Sequence, residues 1–100
     1  MEISSLQLRC SAQRALLYSI TSSMRCIYFD ISNVEDLKLN VIFDKEPEDF
    51  ELDLLDSAAL EICGDFKDLE DIEIIVSVEK GRMNFVNESC LMLYARYEAQ

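Results

Sequence analysis

Apolar residues recur along this chain with two different periods, and the points where the period changes divide it into six elements. From Ser5 to about Ile20, the side chains of Leu6, Cys10, Leu17 and Ile20 fall close together on a helical projection. Leu16 lies beside them, with Arg9 and Arg14 elsewhere, which predicts an amphipathic helix. Ser4 and Gln7 have the spacing of a capping box, and the Thr21-Ser22-Ser23 cluster closes the segment. From Met24 the period becomes two: Arg25, Ile27, Phe29 and Ile31 share one face, while Cys26, Tyr28 and Asp30 take the other. After the turn-like run Ser32-Asn33-Val34-Glu35-Asp36, Leu37, Leu39, Val41 and Phe43 alternate with Lys38, Asn40, Ile42 and Asp44. Two such strands joined by a short polar loop predict an antiparallel hairpin.

The helical period then returns. Pro47 sits where a first helical turn tolerates it, and Glu48, Asp49 and Glu51 follow at the end where the helix dipole favours negative charge. A helix running to about Phe66 gathers Leu54, Leu55, Ala58, Ala59, Ile62 and Phe66 on one face, opposite Asp49, Asp53, Asp56, Ser57, Leu60 and Glu61. Alternation resumes from Ile72 to Glu79, with Ile72, Ile74, Val76 and Val78 on one side. A connection containing Gly81 and Met83-Asn84-Phe85-Val86-Asn87 leads to a fourth strand, Cys90 to Tyr97. The order αββαββ predicts a two-layer α+β domain: a four-stranded, mainly antiparallel sheet with two helices on one face. If the second and third strands are neighbours, the crossover through the second helix should be right-handed. The outward face of the sheet then carries Tyr28, Ile42, Ile75, Met92 and Tyr94, an apolar patch of the kind that marks a contact surface.

Composition narrows this to one unit. One hundred residues, half of them apolar, with one Pro and two Gly, show no linker, low-complexity tract or repeat, so a single domain over residues 1–100 is expected. No basic leader with an apolar run, and no window approaching the ~20 apolar residues of a membrane span, points to a soluble, cytoplasmic protein. Without an export signal the four cysteines, Cys10, Cys26, Cys63 and Cys90, read as reduced thiols in core or near-core positions.

Charge changes the picture most. Between Asp44 and Glu73 stand thirteen of the twenty acidic residues against two lysines, Lys45 and Lys67, so this stretch alone carries the −11 of the whole chain. Solvated helix faces normally interleave both signs, and massed like charge serves steering and partner choice more than stability. Leu60, projecting amid Asp49, Asp53, Asp56 and Ser57, resembles an apolar centre inside a polar rim.

Chemistry, by contrast, finds few tools. There is no histidine, no glycine-rich phosphate loop and no C-x-x-C pair, and Asp65-Phe66-Lys67-Asp68-Leu69-Glu70-Asp71 lacks the glycine of a calcium loop. The carboxylate pairs at i, i+3 and i+4 lie on a predicted solvent face, where nothing separates their pKa values. A non-enzymatic protein without cofactor or metal is expected. A carboxylate-based metal enzyme stays as a distant alternative.

Phosphate backbones repel so anionic a protein, and no nucleic-acid partner is expected; the basic groove of a nucleic-acid-binding protein attracts it. The succession Arg14-Ala15-Leu16-Leu17, Ile42-Phe43-Asp44-Lys45-Glu46-Pro47, Glu61-Ile62-Cys63-Gly64-Asp65-Phe66 and Tyr94-Ala95-Arg96-Tyr97-Glu98 resembles the small acidic immunity proteins of bacterial toxin-immunity systems, including those of contact-dependent growth inhibition. The resemblance implies a cytoplasmic protein that binds one cognate toxin domain, often a nuclease, and blocks it. Charge alone supplies the candidate contacts: Asp49, Asp53, Asp56, Leu60 and Glu61, extended by Asp65, Asp68, Glu70 and Asp71. The alternative is a homodimeric adaptor or assembly module that pairs through Tyr28, Ile42, Ile75 and Met92.

Overall fold

The computed structural model of the chain describes residues 4–31, 37–66, 69, 71–81 and 90–96. Their elements follow the order α1 (Ser5–Ala15), β1 (Met24–Asp30), β2 (Lys38–Phe43), α2 (Asp49–Asp65), β3 (Glu73–Val78) and β4 (Cys90–Ala95). The turn at 32–36 and the run at 83–87 lie outside the described residues.

α1 begins as its sequence predicts. The Gln7 N–H donates to Ser4 Oγ at 3.1 Å and the Ser4 N–H to the Gln7 side chain at 3.4 Å, closing the capping box. The helix ends at Ala15, several residues short of Ile20, and its inner face is a different one from the leucine stripe. Leu8, Ser11, Ala12 and Ala15 are buried, whereas Leu6 is 71% exposed and Cys10 and Leu17 face solvent. Leu17 and Ile20 lie beyond the last turn, where a helical projection no longer applies. Small side chains at i+3, i+4 and i+7 from Leu8 let α1 approach its neighbours closely, which a stripe of leucines would prevent.

The sheet has the order β3-β2-β1-β4. β1 pairs antiparallel with β2 and with β4, while β2 and β3 pair in parallel, so the sheet is mixed. The parallel pair follows from α2, whose length carries the chain back to the end at which β2 began, as parallel neighbours require. Leu37, Leu39, Val41 and Phe43 point inward as their alternation predicts, joined by Ile27, Phe29, Leu91, Leu93 and Ile72. α1 adds Leu8, Ala12 and Ala15 to the same core and α2 adds Leu55, Ala58, Ala59 and Ile62.

Two irregularities adjust which residues face that core. The register shifts between Met24 and Cys26, making Arg25 the extra residue, so that Met24 and Ile27 both reach the interior. A second shift, opposite Ile27 and Tyr28, makes Leu93 the extra residue of β4. Tyr94 is thereby turned toward the core, against the expectation that it lies on the outer face. Tyr28, Ile42, Ile75 and Met92 do lie on that outer face, and all four are half-buried.

Polar side chains bind one end of the sheet together. Buried Arg25 donates through Nη1 to the carbonyls of Glu79 and Gly81, both at 2.6 Å, holding the chain that leaves β3 near the start of β1. Arg96 donates through Nη1 to Ser22 O at 2.7 Å and to Asp44 Oδ2 at 2.8 Å. Among the described residues no helix is long and apolar enough to cross a membrane.

Candidate functional site

α2 carries six of the thirteen carboxylates of the acidic run, and its start is built around a buried one. Pro47 precedes the helix, and Glu48 is the N-cap. Glu51, at the third helical position, is only 2% exposed. One of its oxygens accepts the Glu48 N–H at 3.0 Å; the other accepts the hydroxyls of Thr21 and Ser23 from the α1–β1 connection. Burial pushes the Glu51 carboxyl upward. The Glu48 N–H, the Ser23 and Thr21 hydroxyls and the nearby Lys45 charge outweigh it, leaving the group below the usual glutamate value. Its sequence signal was the Glu48-x-x-Glu51 spacing before an apolar run, which marks a capping residue as well as a surface charge.

Past this anchor, Leu55, Ala58, Ala59 and Ile62 turn inward and fix what turns outward. Asp49, Asp53, Asp56, Leu60 and Glu61 are all exposed, Leu60 to 74%. Asp49, Asp53, Asp56 and Leu60 are separated by four, three and four residues, so they form one stripe along the helix, with Ser57 and Glu61 at its border. Neighbouring carboxylates on such a stripe stand about 5–6 Å apart at Cβ. Phe50, which the sequence reading left out, is 55% exposed in the first turn, because its angular position falls outside the buried arc. On the connection that feeds Glu51 its hydroxyls, Leu17 is exposed and Tyr18 is 90% exposed.

The other predicted contacts are less uniform. Asp71 is exposed beyond the helix; Asp68 and Glu70 lie outside the described residues. Asp65 is engaged with α1, where its Oδ2 accepts Ser11 Oγ at 2.6 Å and pairs with the Arg14 guanidinium. These groups, with Gln7, Cys10 and Phe66, line an open groove of about 340 Å³ between the two helices. The Ser11 hydroxyl, opposed by burial and aided by Arg14, holds the Asp65 carboxyl below its ordinary value.

Asp65→Ala is therefore expected to lower the melting temperature by a few degrees at neutral pH and to speed amide exchange in α1. Because the folded carboxyl is the more acidic one, that difference is present above the ordinary aspartate value of 3.8 and vanishes as the pH falls through the lower folded value. An equal melting temperature for both proteins at pH 7 would show that the contact adds nothing.

Two of the thiols are held in the protonated form. Burial and then the charge of Asp71 raise Cys63, and burial and then Asp30 raise Cys90, which disfavours the thiolate in both. Cys10 is exposed on α1, unlike the core position expected for it. Among the described residues no three acidic or thiol side chains converge as a metal ion would need. The arrangement suits recognition by charge and shape.

The model of the MafI2 immunity protein family matches residues 5–98, from the first residue of α1 to beyond the end of β4. The chain belongs to the MafI2 immunity protein family. No curated protein matches it. As a MafI2 immunity protein it is a bacterial toxin-immunity protein, and its acidic helix stands within the matched span.

Proposed function

We propose that this protein acts without catalysis, in the cytoplasm, by binding a cognate toxin that is a basic nuclease domain and covering it with the exposed face of α2. The observation that carries the reading is the stripe of Asp49, Asp53, Asp56 and Leu60 on a helix whose opposite side is locked into the core. A nuclease presents cations arranged for phosphates. Carboxylates held on a rigid helix meet those cations without the entropy cost of ordering a flexible acidic tail. Leu60 supplies an apolar centre to that surface, and Asp71 and Glu61 extend its charge.

Steering between surfaces of opposite sign raises association rates and makes them sensitive to salt. The double substitution Asp53→Lys and Asp56→Lys touches no buried group and is expected to leave the circular dichroism spectrum unchanged. It should slow association with the cognate toxin domain roughly tenfold at low salt, with the gap narrowing as salt is added. Equal association rates for the variant and the parent would place the toxin on another surface.

A further inference from the structure

Among the described residues the outer edge of β3 has no strand beside it, and its surroundings point to one kind of occupant. β3 pairs with β2 alone among the described strands. The Glu73 N–H donates to Leu37 O at 3.3 Å and the Glu79 N–H to Phe43 O at 2.9 Å, both toward β2. In a parallel ladder the residues bonding to a given neighbour alternate, so Glu73, Ile75, Ser77 and Glu79 direct their backbone groups to β2. Ile74, Val76 and Val78 consequently direct theirs outward, three N–H and three C=O groups on an otherwise paired strand.

Edges of sheets are normally blunted by a bulge, a proline or charges within the strand. β4, at the other edge, has the irregularity at Leu93. β3 has no bulge and no proline, and its one charge, Glu73, stands at its first position: Ile74-Ile75-Val76-Ser77-Val78 is an uninterrupted β-forming run in regular register from Lys38 opposite Glu73 to Phe43 opposite Val78. As far as Gly81 the described chain leaves this edge, because Arg25 holds the Glu79 and Gly81 carbonyls on the β1 side.

Charge selects the occupant. Exposed Asp71 and, at the first position of the strand, Glu73 stand at one end of the edge and exposed Glu79 at the other, against Lys80 as the one exposed cation among the described residues of that stretch. α2 packs on the β3 side of the sheet while α1 packs on the β4 side, so the acidic helix and the open edge share one flank. A second copy of a chain of charge −11 is repelled from such a flank. We propose that β3 accepts an extended, basic segment of the cognate toxin as an added fifth strand, with α2 contacting the body of the same toxin. This rests on the toxin-binding reading above and assigns the backbone of Ile74, Val76 and Val78 to the interface. Main-chain bonds supply attraction indifferent to sequence, and the flanking carboxylates choose the partner.

Residue-resolved amide exchange of this protein, alone and with its purified cognate toxin domain, tests the assignment. Alone, the amides of Ile75 and Ser77 should be protected by β2, and those of Ile74, Val76 and Val78 should exchange fast. In the complex, the latter three should slow at least tenfold. A complex that forms while these three amides exchange as before would overturn the added strand and leave toxin binding standing. Absence of any complex overturns the toxin-binding reading, and this inference with it. Protection of the same amides that appears in the protein alone as its concentration rises assigns the edge to a second copy and refutes a toxin strand.

Discussion

Phe29→Ala is expected to destabilise the protein by about 3–5 kcal/mol, the range for emptying a buried aromatic position. Phe29 lies on β1, a strand with a partner on either side, opposite Leu39 of β2 and Leu91 of β4, and it is fully buried. Its strand partners Leu39 and Leu91 are held in their own ladders, which limits how far they can close into the space. Domains of this size are stable by about 5–15 kcal/mol in all, so the substitution removes a large part of the total. Urea unfolding followed by circular dichroism measures it: the midpoint should fall steeply with an unchanged slope. Phe29→Leu, which restores most of the volume, should cost less than half as much. A midpoint for Phe29→Ala close to that of the parent would mean that the core closes elsewhere than around β1.

The second large effect lies at Glu51. Its carboxylate receives one backbone N–H and two hydroxyls, joining the start of α2 to the connection between α1 and β1. Hydrogen bonds to a charged group contribute roughly 1.5–3 kcal/mol where a neutral one gives about 1. Glu51→Ala, which orphans all three donors, is expected to cost about 2–4 kcal/mol. Glu51→Gln keeps the shape and one acceptor oxygen, and is expected to cost about half of that.

The pH dependence separates charge from packing. The folded carboxyl lies below the unfolded reference of 4.5, so the unfolded chain binds the proton more readily. The stability due to ionisation is then complete above that reference and drains away as the pH falls through the folded value. The gap between the parent and Glu51→Gln should be constant from pH 6 to 8 and shrink below about 4.5. A gap that widens on acidification would mean that burial, which opposes ionisation here, outweighs the three donors.

Some of this molecule was legible in the chain because local rules are enough for it. The alternation of Leu37, Leu39, Val41 and Phe43 needs only a pleat and a core on one side. The same is true of the inward arc of α2 at Leu55, Ala58, Ala59 and Ile62. The exposed stripe of the candidate site is the complement of that arc, which is why Asp49, Asp53, Asp56 and Leu60 could be placed on one surface in advance. α1 failed the same reasoning, since its buried face is composed of small residues. Hydrophobicity ranks leucine above alanine, whereas close helix packing ranks them the other way. Tyr94 was misplaced for a different reason: one extra residue in a strand reverses every later side chain, and a bulge has no mark in composition.

Charge could be counted in the chain but not apportioned. Asp44, Glu51 and Asp65 belong to the same acidic run as Asp53 and Asp56, yet they close contacts with Arg96, with Thr21 and Ser23, and with Ser11 and Arg14.

Period and composition alone dictate the two helices and four strands of the described residues in the order observed, and that the outward side of the second helix is anionic. Both are properties of consecutive residues, set by how often an apolar side chain returns. Which carboxylates are spent inside the fold, the parallel joining of β2 to β3 and the place of β3 at the edge of the described sheet depend on residues tens of positions apart meeting in space. Those meetings are chosen by the packing of the whole core, in which the small side chains of α1 and two displaced strand residues count for as much as the leucines.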